Sequence, residues 1–164
     1  MTTAAEPAVT AAVGPDALDA ARRLVRAAGL PALDGPADVL VAWRGGVPVG
    51  TVAVEGYGAD GLLRSLAVDA AWRGRGVGRT LVAAAERRAC GRGLESLALL
   101  TTTAAPFFAA LGWREADRAE VPAAVRASSE FCDVCPASAA CFVKRLSPPR
   151  GAGRGGASPG RSRG

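Results

Sequence analysis

The residues with the clearest chemical potential are Arg73, Gly76 and Gly78, which form an Arg-x-x-Gly-x-Gly pattern. The pattern lies between a predicted strand that ends at Val68 and a predicted helix that begins at Gly76. Glycines at such a junction let backbone N–H groups turn toward an anion, and the helix N-terminus adds partial positive charge. We therefore predict that this turn binds a pyrophosphate, the alternative being a tight connection without a ligand.

Two other phosphate-binding patterns do not fit this turn. The residues around Arg73 lack the spacing Gly-x-Gly-x-x-Gly, and the chain contains no Gly-Lys-Ser or Gly-Lys-Thr. The single lysine is Lys144, far from the turn in sequence. A Rossmann or P-loop interpretation is therefore disfavoured.

Histidine is absent from all 164 residues. This excludes Ser-His-Asp and Cys-His nucleophilic catalysis, histidine general bases and nearly all catalytic zinc sites, because each needs an imidazole. Any proton chemistry must use carboxylates, hydroxyls, thiols, the backbone or water.

Three of the four cysteines, Cys132, Cys135 and Cys141, lie near one another in sequence. Three thiols suit a soft metal or metalloid, whereas four ligands at zinc spacing are not present. Buried, reduced cysteines are the favoured interpretation, and we expect no metal.

The net charge of +5 is unevenly distributed along the chain. Residues 147–164 carry four arginines and no acid, which leaves a net charge of +1 elsewhere. We expect this Arg/Gly-rich tail and residues 1–12 to be disordered, and residues 13–146 to form one domain. The balanced domain predicts no specific nucleic-acid partner. No apolar run approaches the roughly 18 residues of a membrane span, so a cytoplasmic protein is expected.

Hydrophobic periodicity predicts the elements that must position these residues. An antiparallel meander is followed by alternating helices and strands, which predicts a mixed sheet with helices on both sides. The predicted helices are 17–28 (capped by Asp16 and stopped by Gly29), 76–90, 104–111 and 122–127. The predicted strands are 39–43, 47–54, 62–68, 97–101, 113–116 and 139–146.

Two ordered motifs resemble the GNAT superfamily of N-acetyltransferases. The first is similar to that family's cofactor-binding motif and comprises Leu66-Ala67-Val68-Asp69, Trp72-Arg73-Gly74-Arg75-Gly76-Val77-Gly78 and Leu81-Val82. The second resembles a helix ending in Leu-Gly-aromatic and is Phe107-Phe108-Ala109-Ala110-Leu111-Gly112-Trp113. The resemblance implies an α/β (α+β) GNAT fold: a mixed, mainly antiparallel sheet, helices on both faces, and a splayed strand pair for acyl-CoA.

The resemblance also implies acetyl-CoA as the acetyl donor. Backbone amides of the turn would hold the pyrophosphate, Arg73 and Arg75 would add charge-assisted contacts, and main-chain groups of β-strand residues would bind the pantetheine. The implied cofactor-binding residues are Leu66, Ala67, Val68, Arg73, Gly74, Arg75, Gly76, Val77, Gly78 and Arg79.

Acetyl transfer from a thioester needs an unprotonated amine, because an ammonium has no lone pair. The resemblance places a general base at Glu55, at the end of a predicted strand, and a surface glutamate is the alternative. The family's tyrosine, which protonates the leaving thiolate, is replaced by Phe107 and Phe108. The sole tyrosine is Tyr57, which could face the acceptor. A thiol of pKa roughly 8.5 can also leave unaided.

Three residues are candidates for binding the acceptor. Arg64 and Ser65 are adjacent on a predicted strand, so we expect them to point to opposite faces. The planar guanidinium of Arg64 suits a substrate carboxylate, and pairing across the sheet is the alternative. Thr102 could supply a hydroxyl, while Thr101 and its neighbours could instead provide strand propensity or a helix cap.

A narrower resemblance, to the arsenic-resistance N-acetyltransferase branch, rests on residues 29–31, 62–68, 99–104, 130–131 and 135–139. It implies that the acceptor is a small primary amine, such as an amino-acid-like arsenical or a related toxic amine. Three alternatives stay open: a non-catalytic acyl-CoA-binding module, an acetyltransferase acting on a protein N-terminus or lysine, and a thiol-based arsenical binder. Either a monomer or a homodimer is compatible with the sequence.

Overall fold

The structure is a computed structural model that describes residues 6–131 and 138–147. Its seven strands form one sheet in the order β1-β2-β3-β4-β5-β7-β6. The elements are β1 Ala8–Ala11, α1 Pro15–Ala27, β2 Asp38–Arg44, β3 Val47–Tyr57, β4 Asp60–Val68, α2 Val77–Gly91, β5 Ser96–Thr101, α3 Ala105–Ala110, β6 Arg114–Ala116, α4 Ala123–Arg126 and β7 Ala140–Arg145. Neighbouring strands are antiparallel except for the parallel pair β4 and β5. The mixed, mainly antiparallel sheet is confirmed.

Helices cover both faces of the sheet, as the uninterrupted apolar run of β2 requires. On one face Val39 and Val41 pack with Val25 of α1. On the other, Leu40 packs with Leu81 of α2. Successive side chains of a strand point to opposite faces, so an uninterrupted apolar strand needs a hydrophobic partner on each side.

The N-terminal segment is more ordered than the sequence predicts. Ala8–Ala11 forms β1 and pairs antiparallel with the edge of β2. The indole Nε1 of Trp43 also donates a hydrogen bond to Thr10 Oγ1 at 3.0 Å. The prediction of a disordered 1–12 segment is therefore wrong for these residues, because four residues are too few to show a strand period. The predicted tail beyond residue 147 lies outside the described residues.

The start of α1 also differs from the prediction, whereas its end agrees. The helix begins at Pro15 after a Gly14 cap with φ +90°, so Asp16 lies inside the first turn and does not cap it. An acidic residue there still interacts favourably with the helix dipole. Gly29, with φ +69°, ends the helix as predicted.

The connection between β3 and β4 is shorter than the predicted strands 47–54 and 62–68 suggest. β3 continues to Tyr57 and β4 begins at Asp60, which leaves a two-residue turn. Glu55 is therefore paired with Leu62 inside the sheet and does not lie at a strand end. Gly61 lies within β4, and the position requires glycine because a Cβ there would be 2.8 Å from the side chain of Leu97.

A β-bulge interrupts β4 near its middle. Thr51 of β3 pairs with Ala67. Ala53, two residues further along β3, pairs with Arg64, three residues back along β4. The extra residue is accommodated at Ser65, whose φ of +57° is uncommon for a residue with a side chain. Such a bulge bends the strand that carries it.

β4 and β5 separate beyond three paired positions. Asp60–Leu62 pairs with Ser96–Ala98, after which the two strands have no paired positions in the described residues. β5 continues to Thr101 but pairs there only with β7. The predicted splayed strand pair is therefore present, and it opens the sheet from Leu63 onward.

None of the helices in residues 6–131 and 138–147 combines the length and hydrophobicity that a bilayer crossing requires.

Candidate active site

A cleft of about 610 Å³ lies beside the splayed part of β4. Its walls come from the end of α1, from β4, from the glycine-rich turn and from α3. Nine of the ten predicted cofactor-binding residues line it, and Arg75 is the exception. The predicted residues that line it are Leu66, Ala67, Val68, Arg73, Gly74, Gly76, Val77, Gly78 and Arg79.

The glycine-rich turn requires glycine at two positions. Gly74 and Gly76 have φ values of +73° and +82°, a region that other residues rarely adopt. The first hydrogen bond of α2 runs from the amide of Thr80 to the carbonyl of Gly76, at 3.1 Å. The amides before Thr80 thus have no carbonyl acceptor within the helix. Together with the dipole of a 15-residue helix, they form a site suited to a phosphate group.

Gly78 is required for a different reason, the close approach of α3. A Cβ at this position would lie 3.3 Å from Cζ of Phe107. Phe107 lines the cleft and packs edge-on against the buried Phe108, with ring centroids 5.0 Å apart. The second sequence motif therefore shapes a wall of the cleft. Neither phenylalanine can donate a proton where the resemblance leads one to expect a tyrosine.

Glu55 forms the centre of a buried polar network. Its Oε1 accepts a hydrogen bond from Arg64 Nη1 at 2.6 Å, and its Oε2 accepts one from the Tyr57 hydroxyl at 2.6 Å. The side chains of Arg64 and Glu55 are only 7% and 12% exposed, so each charge depends on the other. Glu55 therefore is not a solvated surface residue.

Tyr57 is a hydrogen-bond donor in this network. Burial, followed by its hydrogen bond to the Glu55 carboxylate, raises the pKa of Tyr57 to about 12. Nearby Arg64 and Ser128 act in the opposite direction on the same pKa. The hydroxyl is thus held protonated at neutral pH, where it orients the carboxylate.

Arg64 makes three contacts with protein acceptors. Besides Glu55, its Nη2 donates to the carbonyl of Ala32 at 2.8 Å and its Nε to Ser65 Oγ at 3.3 Å. The expectation that Arg64 and Ser65 point to opposite faces is wrong, because the bulge at Ser65 breaks the alternation. Arg64 pairs across the sheet with Glu55, which was the alternative interpretation. A role of Arg64 in binding a substrate carboxylate stays a prediction.

The three consecutive threonines have different environments. Thr101 Oγ1 accepts a hydrogen bond from the amide of Ala104 at 3.0 Å, next to the start of α3. Thr103 lines the cleft. Thr102, the candidate for substrate binding, is exposed and is not part of the cleft wall. Its role stays a prediction.

Several cleft residues were not predicted from the sequence. Ala28 and Leu30 come from the end of α1, and Ala110 and Leu111 from α3. Gly29 signals the end of α1, but no local pattern indicates that the following residues cross the opening in the sheet. This contact depends on the packing of α1 against the sheet.

The cysteines show no clustering in the described part of the chain. Cys141 is buried, which raises its pKa, and the thiol of Cys90 donates to the carbonyl of Ser147 at 3.3 Å. Cys132 and Cys135 lie outside the described residues. In residues 6–131 and 138–147, no three His, Cys, Asp or Glu side chains are close enough to hold a metal ion.

Comparison with known proteins gives a family match over the central part of the chain. Residues 35–115 match the family model described as "Acetyltransferase (GNAT) domain". This range includes the glycine-rich turn, Glu55 and Phe107. No curated protein sequence matches the chain.

Solved structures with the same fold include three proteins in complex with coenzyme A. N-acetylglutamate synthase from Neisseria gonorrhoeae, complexed with coenzyme A and N-acetyl-glutamate, has a TM-score of 0.72 and 22% identity over 88% of this chain and 36% of that chain. Rv2747 from Mycobacterium tuberculosis, in complex with CoA and NLQ, has a TM-score of 0.69 and 22% identity over 86% and 100% of the two chains. An aminoglycoside 6'-N-acetyltransferase complexed with coenzyme A has a TM-score of 0.64 and 14% identity over 87% and 98%.

At these identities the likeness establishes the fold. The chain spans about a third of the length of the N-acetylglutamate synthase. It spans nearly the whole length of the other two proteins.

Proposed function

We propose that the chain, in which residues 35–115 match the model of the GNAT acetyltransferase domain, transfers an acetyl group from acetyl-CoA to the primary amine of a small molecule. The observation that carries the proposal is the cleft beside the splayed β4, with a phosphate-suited helix N-terminus in its wall. A nucleotide thioester needs both features, since its pyrophosphate is anionic and its pantetheine arm is long and amide-rich.

The donor is held chiefly by main-chain groups. Amides at the start of α2 bind the pyrophosphate, and Arg73 and Arg79, which also line the cleft, add positive charge. Beyond Leu62, β4 pairs with no residue of β5 within the described parts of the chain, so main-chain groups of Leu66 and Val68 are available to the pantetheine amides. The glycine-rich turn fits the pyrophosphate because Gly74 and Gly76 have positive φ values and because Phe107 approaches closely at Gly78.

Glu55 is proposed to remove the proton from the acceptor amine, directly or through a water molecule. Each of its carboxylate oxygens already accepts one hydrogen bond, and each has further lone-pair capacity. Arg64 and Tyr57 fix the direction in which the remaining lone pairs point. These two residues are therefore positioning residues in the proposed reaction.

The reaction balances with these groups alone. The deprotonated amine attacks the thioester carbonyl, a C–N bond forms and the C–S bond breaks. One proton of the ammonium goes to Glu55 before the attack, a second leaves the nitrogen for solvent as the amide forms, and the leaving thiolate takes a proton from solvent. A free thiol has a pKa of roughly 8.5, so the thiolate can leave unaided despite the phenylalanines at positions 107 and 108.

Two observations favour a small-molecule acceptor. The polar network around Glu55 is buried, with side chains little exposed, which suits a small group better than a folded protein surface. Two of the structural neighbours bear the names of enzymes that act on an amino acid and on an aminoglycoside. An amino-acid-like arsenical or a related toxic amine is the finer proposal, and it rests on the sequence resemblance alone.

The proposal is tested by measuring amine-dependent acetylation. Purified protein and acetyl-CoA are incubated with amino acids, an aminoglycoside, an amino-acid-like arsenical and a peptide with a free N-terminus, and acetylated products are detected by mass spectrometry. We expect product with one class of small amine. Preference for the peptide would indicate a protein acetyltransferase instead.

CoA binding without any product would indicate a non-catalytic acyl-CoA-binding module. Titration of the purified protein with a trivalent arsenical tests the remaining alternative, a thiol-based arsenical binder. Such a protein would bind the arsenical in the absence of acetyl-CoA. In that case tight arsenical binding would be accompanied by no CoA binding and no acetylated product.

A further inference from the structure

A second pocket, of about 470 Å³, adjoins the cleft. The two cavities share Trp72, Gly76, Val77 and Arg79. The second pocket adds Arg44, the last residue of β2, and Arg75, the predicted cofactor residue that does not line the cleft. The glycine-rich turn thus contributes to two cavities.

Two guanidinium groups lie against one indole ring in this pocket. The Cζ atoms of Arg44 and Arg75 are each 5.1 Å from the centroid of the Trp72 ring. They are therefore within about 10 Å of each other. An aromatic face attracts a cation, so Trp72 helps to hold both guanidinium groups in this pocket.

This positive charge is not neutralised by a carboxylate in the described part of the chain. Neither Arg44, Arg75 nor the nearby Arg79 has an ion-pair partner within 4.0 Å there. Glu6, the one acidic residue of the lining, pairs with none of them. The pocket therefore combines three cations with one acid and favours an anionic ligand.

We propose that Arg44 and Arg75, held in place by Trp72, bind a phosphate monoester, and that this group is the 3′-phosphate of CoA. The inference rests on the proposed function, because the same turn is proposed to hold the pyrophosphate of that molecule. A phosphate monoester is a dianion near neutral pH, and guanidinium groups bind its oxygens in a bidentate manner. The shared turn residues put this pocket next to the pyrophosphate site.

The alternative source of the same chemistry is a separate phosphate-bearing molecule. The experiment distinguishes the two by comparing CoA with dephospho-CoA, which differs only in lacking the 3′-phosphate. Affinities of both are measured by isothermal titration calorimetry for the wild type, Arg44→Gln, Arg44→Lys and the control Arg23→Gln. Arg23 is exposed on α1 and lines neither cavity.

We expect the wild type and Arg23→Gln to bind CoA at least about tenfold more tightly than dephospho-CoA, as charged hydrogen bonds of this kind would give. Arg44→Gln should lose about tenfold in CoA affinity and leave the affinity for dephospho-CoA unchanged. Arg44→Lys should give an intermediate preference, because it keeps the charge but not the planar fork.

If Arg44→Gln lowered the affinities for CoA and dephospho-CoA equally, the inference would be overturned. Arg44 would then act by stabilising the glycine-rich turn and not by binding the 3′-phosphate. A wild type without any preference for CoA would overturn it as well. Binding of inorganic phosphate to the CoA-saturated wild type, lost in Arg44→Gln, would assign the pocket to a separate phosphate ligand. If the wild type bound neither CoA nor dephospho-CoA, the proposed function would fail as well. This outcome therefore differs from the ones that overturn only the assignment of the 3′-phosphate.

Discussion

Nη1 of Arg64 lies 2.6 Å from Oε1 of Glu55, and the other terminal nitrogen of the same guanidinium binds the carbonyl of Ala32. The contact joins the proposed base to the connection between α1 and β2, whose first residues also line the cleft. Removal of one partner of a buried ion pair leaves an uncompensated charge, which is more costly than the pair itself. Variants at Glu55 must therefore be assessed for folding and for rate.

Glu55→Gln keeps the shape of the side chain and its capacity to accept a hydrogen bond, but it removes the basicity. Turnover should fall by about 10²–10⁴-fold while CoA affinity is preserved. The loss should shrink as pH rises, because the free amine then deprotonates by itself. Steady-state rates over a range of pH check this.

The matched control is Glu95→Gln, at an exposed position outside the cleft and the network. Its rate should equal that of the parent. If Glu55→Gln also kept the parent rate at neutral pH, proton removal would belong to water or another group.

Tyr57 can be titrated without ambiguity because it is the only tyrosine in the chain. Its pKa, raised to about 12, predicts that tyrosinate absorbance develops near that pH in the native protein. In denaturant it should develop near pH 10, the ordinary value. A native midpoint near 10 would show that the hydroxyl does not donate to Glu55.

The same shift makes a prediction about stability. A raised folded-state pKa means that the stabilisation is complete below about pH 10 and is lost as pH rises toward about 12. Tyr57→Phe should remove this alkaline loss and reduce the free energy of unfolding at neutral pH by about 1 kcal/mol. Urea unfolding at several pH values, compared with the wild type, measures both effects.

Gly76 should tolerate asparagine better than valine. A Cβ at Gly76 meets no atom within 4 Å, so the expected cost in the free protein is the φ of +82° and not a clash. Asparagine adopts such a φ more readily than a β-branched residue. Gly76→Val should therefore abolish CoA binding, whereas Gly76→Asn should retain most of it in calorimetric titrations. A folded Gly76→Val protein with unchanged CoA affinity would remove the turn from the donor site.

The two described cysteines should differ in reactivity. Cys141 is buried and its pKa is raised by burial, whereas Cys90 is partly exposed. Alkylation of the native protein should therefore modify Cys90 well before Cys141, because the thiolate is the reactive form. Peptide mapping by mass spectrometry at successive times checks the order. Early modification of Cys141 would mean that this part of the sheet opens readily.

The parts of the molecule that follow local rules were predictable from the sequence. The turn at Gly76 combines a strand end, positive-φ glycines and a helix start within ten residues. Each of these three features has a recognisable pattern of residue types in the sequence. The uninterrupted apolar run of β2 likewise predicts two covered faces. The family match over residues 35–115 agrees with the resemblance drawn from these motifs.

The parts that depend on tertiary pairing were not predictable. The bulge at Ser65 changes which side chains meet, and no glycine marks it. Tyr57 contacts Glu55 because β3 extends beyond its apolar residues. Arg44, at the end of β2, contacts Trp72, which lies in the segment between β4 and α2. Strand β1 is short and takes its stability from an existing edge. In each case the partner is remote in sequence or the local signal is too brief.

The separation of β4 from β5 leaves two facing strand edges that pair with no other strand among residues 6–131 and 138–147. In the proposed reaction, a pantetheine arm lying in the opening would supply amide groups to those edges, so the donor would complete the sheet in the manner of a missing strand. Such a ligand stabilises only the folded state, by about 2.7 kcal/mol at a concentration 100-fold above its dissociation constant. If the chain binds CoA as proposed, its resistance to unfolding and proteolysis is coupled to the supply of CoA around it.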